Sequence, residues 1–333
     1  MNKFLITLSK FSLFLLFGLL VLLMYYFYSD PFKVLYHYSD YSYSKVIPNR
    51  DYISTQTYIN NQNKYNYNSF IFGSSRTLGF KVNSWKKQLD STANPFVFDA
   101  SSETLHGIYQ KIKFLDDRNS NIDNAIILLC RDCSFLKNID ETRHLIVKHP
   151  ATSHADRFSF HLSFLKAYFD NKFLIRFLVY QITNNYKPWM HPYIEYRNIK
   201  YDQVTNQLSI LDQESEISKN QIKYYIQRQV LFYKRKKERV DSVQIINQND
   251  INELFEIKNI LAKRRTKYKI ILSPLYEQIK FNPKDLSILN KIFDGNVLDF
   301  TGKNNLTDTC LNYYEWSHFR PFIGDSILAR IYH

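Results

Sequence analysis

A serine near one end of this 333-residue chain and a glutamate–histidine pair near the other stand in settings suited to nucleophilic chemistry. Phe70-Ile71-Phe72 runs into Gly73-Ser74-Ser75-Arg76, with a second glycine at Gly79. A short apolar run that ends on glycine and small hydroxyl residues predicts a buried strand turning sharply. In an open α/β sheet such a turn lifts a side chain clear of the carboxyl ends of the strands, where ligands bind. Serine is a poor nucleophile until a base takes its proton, and the base needs an orienting acid. The distal segment YYEWSHFRPF supplies both, with Glu315 three residues before His318. Residues i and i+3 share one face of a helical turn. The spacing therefore predicts a turn in which Glu315 holds one imidazole nitrogen while the other faces Ser75.

These residues need a sheet to bring them together, and the chain has the pattern of one. Apolar runs at Phe70–Phe72, Pro95–Asp99, Ala125–Cys130, Lys269–Pro274 and Gly295–Phe300 predict five strands. Ala125–Cys130 is too continuously apolar for a sheet wetted on one side. Between them lie helical patterns at Ser84–Leu89, Leu105–Leu115 with Ser102 as N-cap, Ile251–Lys263 and Leu286–Phe293, and a closing helix begins near Pro321. Strands alternating with helices predict a parallel sheet covered on both faces. The pattern breaks over 138–250, where helical runs at Phe158–Ile182 and Asn220–Lys237 flank a hairpin turning near Thr205-Asn206. This block reads as a mainly helical insertion. It leaves the sheet at the edge that holds Ser75, so it is expected to pack beside or over the site as a cap.

In order and placement the two motifs resemble the SGNH (GDSL-like) hydrolase superfamily, especially its membrane-anchored members in bacterial envelope-polysaccharide systems. That family has a strand followed by GDS and closes with D-x-x-H before a carboxy-terminal helix. Ser75 matches its nucleophile and His318 its base, while Ser74 and Glu315 replace its two aspartates. The resemblance covers 68–137 and 251–333. It implies a flavodoxin-like three-layer sandwich with about five parallel strands, no cofactor and no metal. It also implies serine-dependent ester chemistry, O-acyl transfer or deacetylation, on an envelope polysaccharide. The expected partners are a carbohydrate polymer or acylated glycan and, for transfer, a membrane acyl-donor protein. A non-catalytic scaffold or glycan-binding protein of the same fold is the alternative, because the family's oxyanion glycine and asparagine are missing. Their loops read Ala100-Ser101-Ser102 and Arg131-Asp132-Cys133. Ser74, Ser101, Ser102 and Arg131 are thus candidate oxyanion or substrate donors, with Asp132 beside them. Arg76 is a candidate for an anionic group, although pairing with Asp99 or Asp132 is the expected role.

Other groups point less far. Cys130 and Cys133 have redox or metal spacing but no second pair, leaving one disulfide or two buried thiols open. His144, His149, His154 and His161 fit no metal-ligand spacing. The net charge of +13 is spread out rather than gathered in one arm, which argues against nucleic acid. The runs Lys234–Arg239 and Lys263–Lys267 read first as solvated helix faces, and second as contacts to an anionic lipid surface. Tyr and Phe number 26 each against 7 Gly, an aromatic load suited to stacking on sugar rings.

Residues 11–28 are almost wholly apolar, with Lys3 and Lys10 before them and an aromatic cluster at their end. With the apolar residues just upstream, the stretch approaches the ~20 residues that cross a bilayer. No small-x-small cleavage site follows. The expectation is a single-pass anchor, with 1–10 cytoplasmic and the main domain outside. Residues 29–67, rich in Tyr, Asn and Ser, read as a spacer.

Overall fold

The computed structural model describes residues 2–137, 140, 142–235 and 237–332. Asn138, the expected start of the insertion, and Lys236 of the basic run lie outside the described residues. Five strands, β1 (Ser69–Gly73), β2 (Pro95–Asp99), β3 (Asn124–Leu129), β4 (Lys267–Leu272) and β5 (Val297–Asp299), form one parallel sheet. Their order is 2-1-3-4-5, a doubly wound order whose switch point lies between β1 and β3. Each strand falls within three residues of its expected place; β1, β2 and β3 are buried along their whole length, while β5 at the sheet edge is only half-buried.

The helices are α1 (Asn2–Ser29), α2 (Arg50–Tyr65), α3 (Val82–Lys86), α4 (Leu105–Asp117), α5 (Pro150–Ser153), α6 (Arg157–Tyr168), α7 (Asn171–Thr183), α8 (Leu211–Lys219), α9 (Gln221–Gln227), α10 (Gln248–Lys263), α11 (Pro283–Ile292) and α12 (Pro321–Tyr332). Alternate strand residues feed two cores. Phe70, Phe72, Phe96, Phe98, Ile127 and Ile270 pack with α2, α4, α10 and α11 on one face. Ile71, Val97, Ile126, Leu128 and Ile271 pack with Trp85 of α3 and Ile323 and Ile327 of α12 on the other. Each fully buried side chain of this kind contributes about 1.5–3 kcal/mol.

A third core gathers Tyr26, Phe32, Tyr52, Phe160, Tyr168, Phe173 and Phe177 where α1 meets α6 and α7. Within Lys3–Ser29 an 18-residue window has a mean hydropathy of 2.3, and this is the one described helix long and apolar enough to cross a membrane.

Several local expectations change. The supposed spacer contains α2, a helix capped by Asn49 whose Arg50, Asp51, Ser54 and Thr55 are buried. Polar residues on its inward face hid it from a periodicity argument. Thr104, not Ser102, caps α4, accepting from the Gly107 amide. The helical run over 158–182 breaks into α6 and α7 at Asp170, which caps the second helix. The run over 220–237 shortens to α9 and a 3-10 turn at Gln229–Leu231. The expected hairpin forms, pairing Ile199–Tyr201 with Leu208–Ile210.

Candidate active site

β1 ends on Gly73 at φ +153°, where an added Cβ would lie 2.9 Å from both Leu128 Cβ and Leu128 O. Glycine is needed for that backbone and that approach. The chain then turns into a 3-10 helix, Ser75–Gly79, with Ser74 as its N-cap. This turn is pressed against the carboxy-terminal part of the chain. A Cβ on Gly324 of α12 would sit 1.9 Å from Gly79 O, and one on Gly79 would overlap the Phe319 ring. Ser75 and the residue before Phe319 are thereby held in register.

That residue is His318. Its Nε2 lies 2.9 Å from Ser75 Oγ, and its Nδ1 is hydrogen-bonded to Glu315 Oε1. The second Glu315 oxygen accepts the Ser317 amide at 2.8 Å. With the proton on Nδ1, Nε2 is free to receive the serine proton. The helical turn expected here is instead a tight hairpin: Tyr313–Glu315 pairs antiparallel with His318–Phe319, and Glu315 stands opposite His318 across Trp316-Ser317. Aromatic residues on either side favour strand over helix, and the pairing still brings acid and base together. Burial pushes the Glu315 carboxyl up, but His318, the Ser317 amide and Arg76 outweigh it and hold it below its usual value.

The remaining candidates divide. Arg76 forms a two-pronged pair with Asp132 (2.8 and 2.6 Å) and donates to Ser317 O at 2.8 Å. It braces the hairpin and is not free for a substrate anion. Ser74 is buried, its hydroxyl 3.4 Å from Cys130 Sγ. Arg131, expected near the oxyanion, is turned to Asp241 and Glu277 at 2.6 Å each. Ser101 and Ser102 follow β2, and the Ala100 amide donates to Gly73 O at 3.2 Å, next to the serine turn. Ser102 has φ +49°, and among the described residues neither hydroxyl has a protein partner. Among the side chains of that list, these two remain unengaged. The Ser75 amide, first in its 3-10 turn, has no acceptor within that turn.

Cys130, Asp132 and Cys133 come within 4.8 Å of one another. The Asp132 carboxylate is taken by Arg76, whose Nη1 also lies 3.7 Å from Cys133 Sγ. A guanidinium occupies the place a cation would need. Both thiols are free and buried. Among the described residues the four insertion histidines form no metal-ligand cluster, although His149, His154 and His161 line one cavity. His149 caps α5 through Nδ1, and His144 packs on Phe32.

Two contributors escaped the sequence. Asp99, at the end of β2, accepts from Thr77 Oγ1 (2.6 Å), Arg50 Nη2 (2.9 Å) and Asn206 Nδ2 (3.3 Å). It ties the serine turn to α2 and to the insertion hairpin. The strand-ending aspartate was visible, but not its long-range partners. The insertion also lies along the outer side of the Glu315–His318 hairpin. Tyr224 Oη donates to Tyr314 O (3.1 Å), Tyr225 Oη to Tyr313 O (2.8 Å), and Glu214 pairs with Arg320 (2.9 Å). Trp316, 47 % exposed at the hairpin tip, has its ring 6.3 Å from that of Tyr233. No family model matches the chain, and no curated protein sequence matches it.

Proposed function

We propose that the protein is a membrane-anchored, SGNH-like serine esterase or O-acyltransferase that acts on an acylated carbohydrate of the cell envelope. The observation that carries this reading is the 2.9 Å approach of Ser75 Oγ to His318 Nε2, with Glu315 on the opposite ring nitrogen. The position at the carboxyl end of β1, beside the switch point, is where a doubly wound sheet binds ligands. The flavodoxin-like sandwich of the superfamily has the same 2-1-3-4-5 order.

In this mechanism His318 Nε2 takes the Ser75 proton as Oγ attacks the ester carbonyl. Glu315 keeps the imidazole oriented and stabilises its charged form. Collapse of the tetrahedral intermediate breaks the bond to the sugar oxygen, which leaves with the proton from His318. Water or a second sugar hydroxyl, deprotonated by His318, then attacks the acyl-serine, giving hydrolysis or transfer. The Ser75 amide and the Ser101–Ser102 segment are the nearest supply of oxyanion donors. Losing one donor costs roughly 10²–10³ in rate, so a slow esterase fits this site better than a fast one. Trp316 and Tyr233 offer flat faces for a sugar ring. Lys3 and Lys10 on the inner side of α1 would place the domain outside the cytoplasmic membrane.

The test is labelling of Ser75 by a fluorophosphonate together with turnover of p-nitrophenyl acetate, both abolished in Ser75→Ala with folding intact. A second reading, a glycan-binding scaffold, is favoured by the engagement of Arg131 with Asp241 and Glu277, which leaves the β3 loop without a side-chain donor. An unlabelled, inert protein that still binds acylated glycan would establish it.

A further inference from the structure

We infer that α6 and α7 form a hairpin lying in the outer interfacial layer of the membrane entered by α1, so that the domain is docked on the lipid surface rather than carried on a free stalk. This rests on the reading of α1 as a membrane anchor. The hairpin packs side-on against the last turns of α1. Tyr168 Oη donates to Leu22 O at 3.1 Å, the Tyr26 and Tyr168 rings lie 5.0 Å apart, and Tyr25 and Phe177 lie 6.1 Å apart. Leu22, Tyr25 and Tyr26 belong to the apolar stretch Lys3–Ser29. A surface that touches α1 at that level sits at the depth of the bilayer interface.

The outward face of the hairpin suits that depth. Phe173 and Phe177 fill the inward side of α7. At 100° per residue, Ile175, Leu178 and Ile182 (i, i+3, i+7) fall on the opposite side. Ile175 is 57 % and Ile182 84 % exposed, and Leu178 is half-buried. A helix apolar on both sides is one whose second side is also covered, and nothing among the described residues covers it. The exposed Trp189 follows in the next turn. Arg176, the one charge in α7 beyond its first turn, is drawn aside, with Nε on Trp189 O (2.9 Å) and Nη1 on Lys172 O (2.7 Å). From Arg157 to Met190 the chain carries Arg157, Lys166, Lys172, Arg176 and Lys187 against one acid, Asp170. Basic residues around an apolar face with a tryptophan are the pattern of an interfacial helix. The occupant fitting both the apolar stripe and the basic rim is an anionic phospholipid surface.

Full-length protein in a Cys310→Ser background, reconstituted in phosphatidylcholine–phosphatidylglycerol vesicles, tests this. Single substitutions Leu15→Cys, Ile182→Cys and Val230→Cys receive an environment-sensitive fluorophore, and quenching by lipids labelled at shallow or deep acyl positions is read. An interfacial helix is buried ~5–10 Å into the headgroup–acyl boundary, so the label at 182 should be blue-shifted and quenched most by the shallow lipid. The label at 15 should be quenched by the deep lipid, and the one at 230 by neither. If 15 is quenched while 182 behaves like 230, the docking inference is overturned and the anchor stands. If 15 is unquenched, both fall. Cross-linking between labels at 182 on two copies, without lipid quenching, overturns docking in favour of self-association.

Discussion

The sandwich and the region beside α1 draw on the same unusual stock of Tyr and Phe, yet they are built by different rules. In the sandwich, aromatics alternate along strands, so that Phe70 and Phe72 face one core while Ile71 faces the other. The neighbouring core is a pile of rings from separate segments: Tyr26 of α1, Phe32 of the following loop, Tyr52 of α2, Phe160 of α6 and Phe173 of α7. A continuous strand ladder organises the first, whereas ring contacts with a few isolated backbone bonds, such as the Val46–Ile194 bridge, organise the second. The candidate site belongs to the first region for its nucleophile and to the seam between the two for its support. Ser75 stands in the 3-10 turn that follows β1, while Asp99 binds both Thr77 and the insertion residue Asn206.

The largest expected effect tests the sandwich side alone. Ser75→Ala should lower ester turnover by about 10⁴-fold or more. His318→Ala should cost as much, and the double variant no more than either, because the pair acts as a unit. Additive losses would break the triad reading.

The seam itself contains a buried charge cluster. Lys111 Nζ binds Glu103, Asp51 Oδ2 (2.9 Å) and Asp99 O (2.9 Å), and Lys148 completes the group against Glu103. Lys111→Met leaves two buried carboxylates short of a partner and should cost about 3–5 kcal/mol, read as the urea midpoint. A cost under about 1 kcal/mol would mean that water reaches the cluster and that the two regions are less firmly joined than the geometry implies.

Acid should separate the regions next. Burial holds the His144 and His149 imidazoles down at about 4 from an ordinary value of 6.5. Their folded values lie below the unfolded ones, so the unfolded chain takes up protons first as pH falls. Their stabilising contribution is whole above about pH 6.5 and drains away toward pH 4, by at most ~3 kcal/mol for each. Melting temperature should fall between pH 7 and pH 4.5, with local unfolding starting around Phe32 and Phe160. His149→Asn, which keeps an acceptor for the Ala151 amide, should flatten part of that fall. An unchanged pH profile in the variant would show that the titration lies elsewhere.

What could be read ahead of the structure follows the same division. The five strands and the serine–histidine approach were visible because buried runs ending on Gly73 or Asp99 mark both strand and edge. Helix α2 was not, because its inward face carries Arg50, Asp51 and Ser54, whose partners are far away in sequence. Arg131 was misplaced for a similar reason: Glu277 and Asp241 lie more than a hundred residues on, and no local pattern announces an ion pair. Glu315 and His318 were paired correctly through the wrong geometry, since a two-residue hairpin and a helical turn both bring i and i+3 together. The break at Asp170 could have been found, as an aspartate followed by Asn-Lys-Phe is an N-cap in a stretch otherwise apolar enough to read as one helix.

The smallest effect asks whether the insertion reaches the chemistry. Tyr225 Oη lies within donating distance of Tyr313 O, on the strand that carries Glu315, and of Leu311 O in the turn just before it. Tyr225→Phe removes those bonds and the hydroxyl's contact with Arg320, leaving the ring in place. A hydrogen bond of this kind is worth about 0.5–1.5 kcal/mol. If the insertion merely lies alongside, the loss should appear in melting temperature, with turnover of p-nitrophenyl acetate intact. If it holds the acid in place, the hairpin loosens and Glu315 orients His318 for less of the time. Turnover should then fall by up to roughly tenfold at unchanged KM, and fluorophosphonate labelling should slow in step, since both report how often Ser75 has its base. Position favours the second outcome. The hairpin has only two short strands, and its outer edge is bonded to Tyr224 and Tyr225 rather than to the sheet. A support bonded directly to the strand that carries Glu315 should be felt in rate as well as in stability.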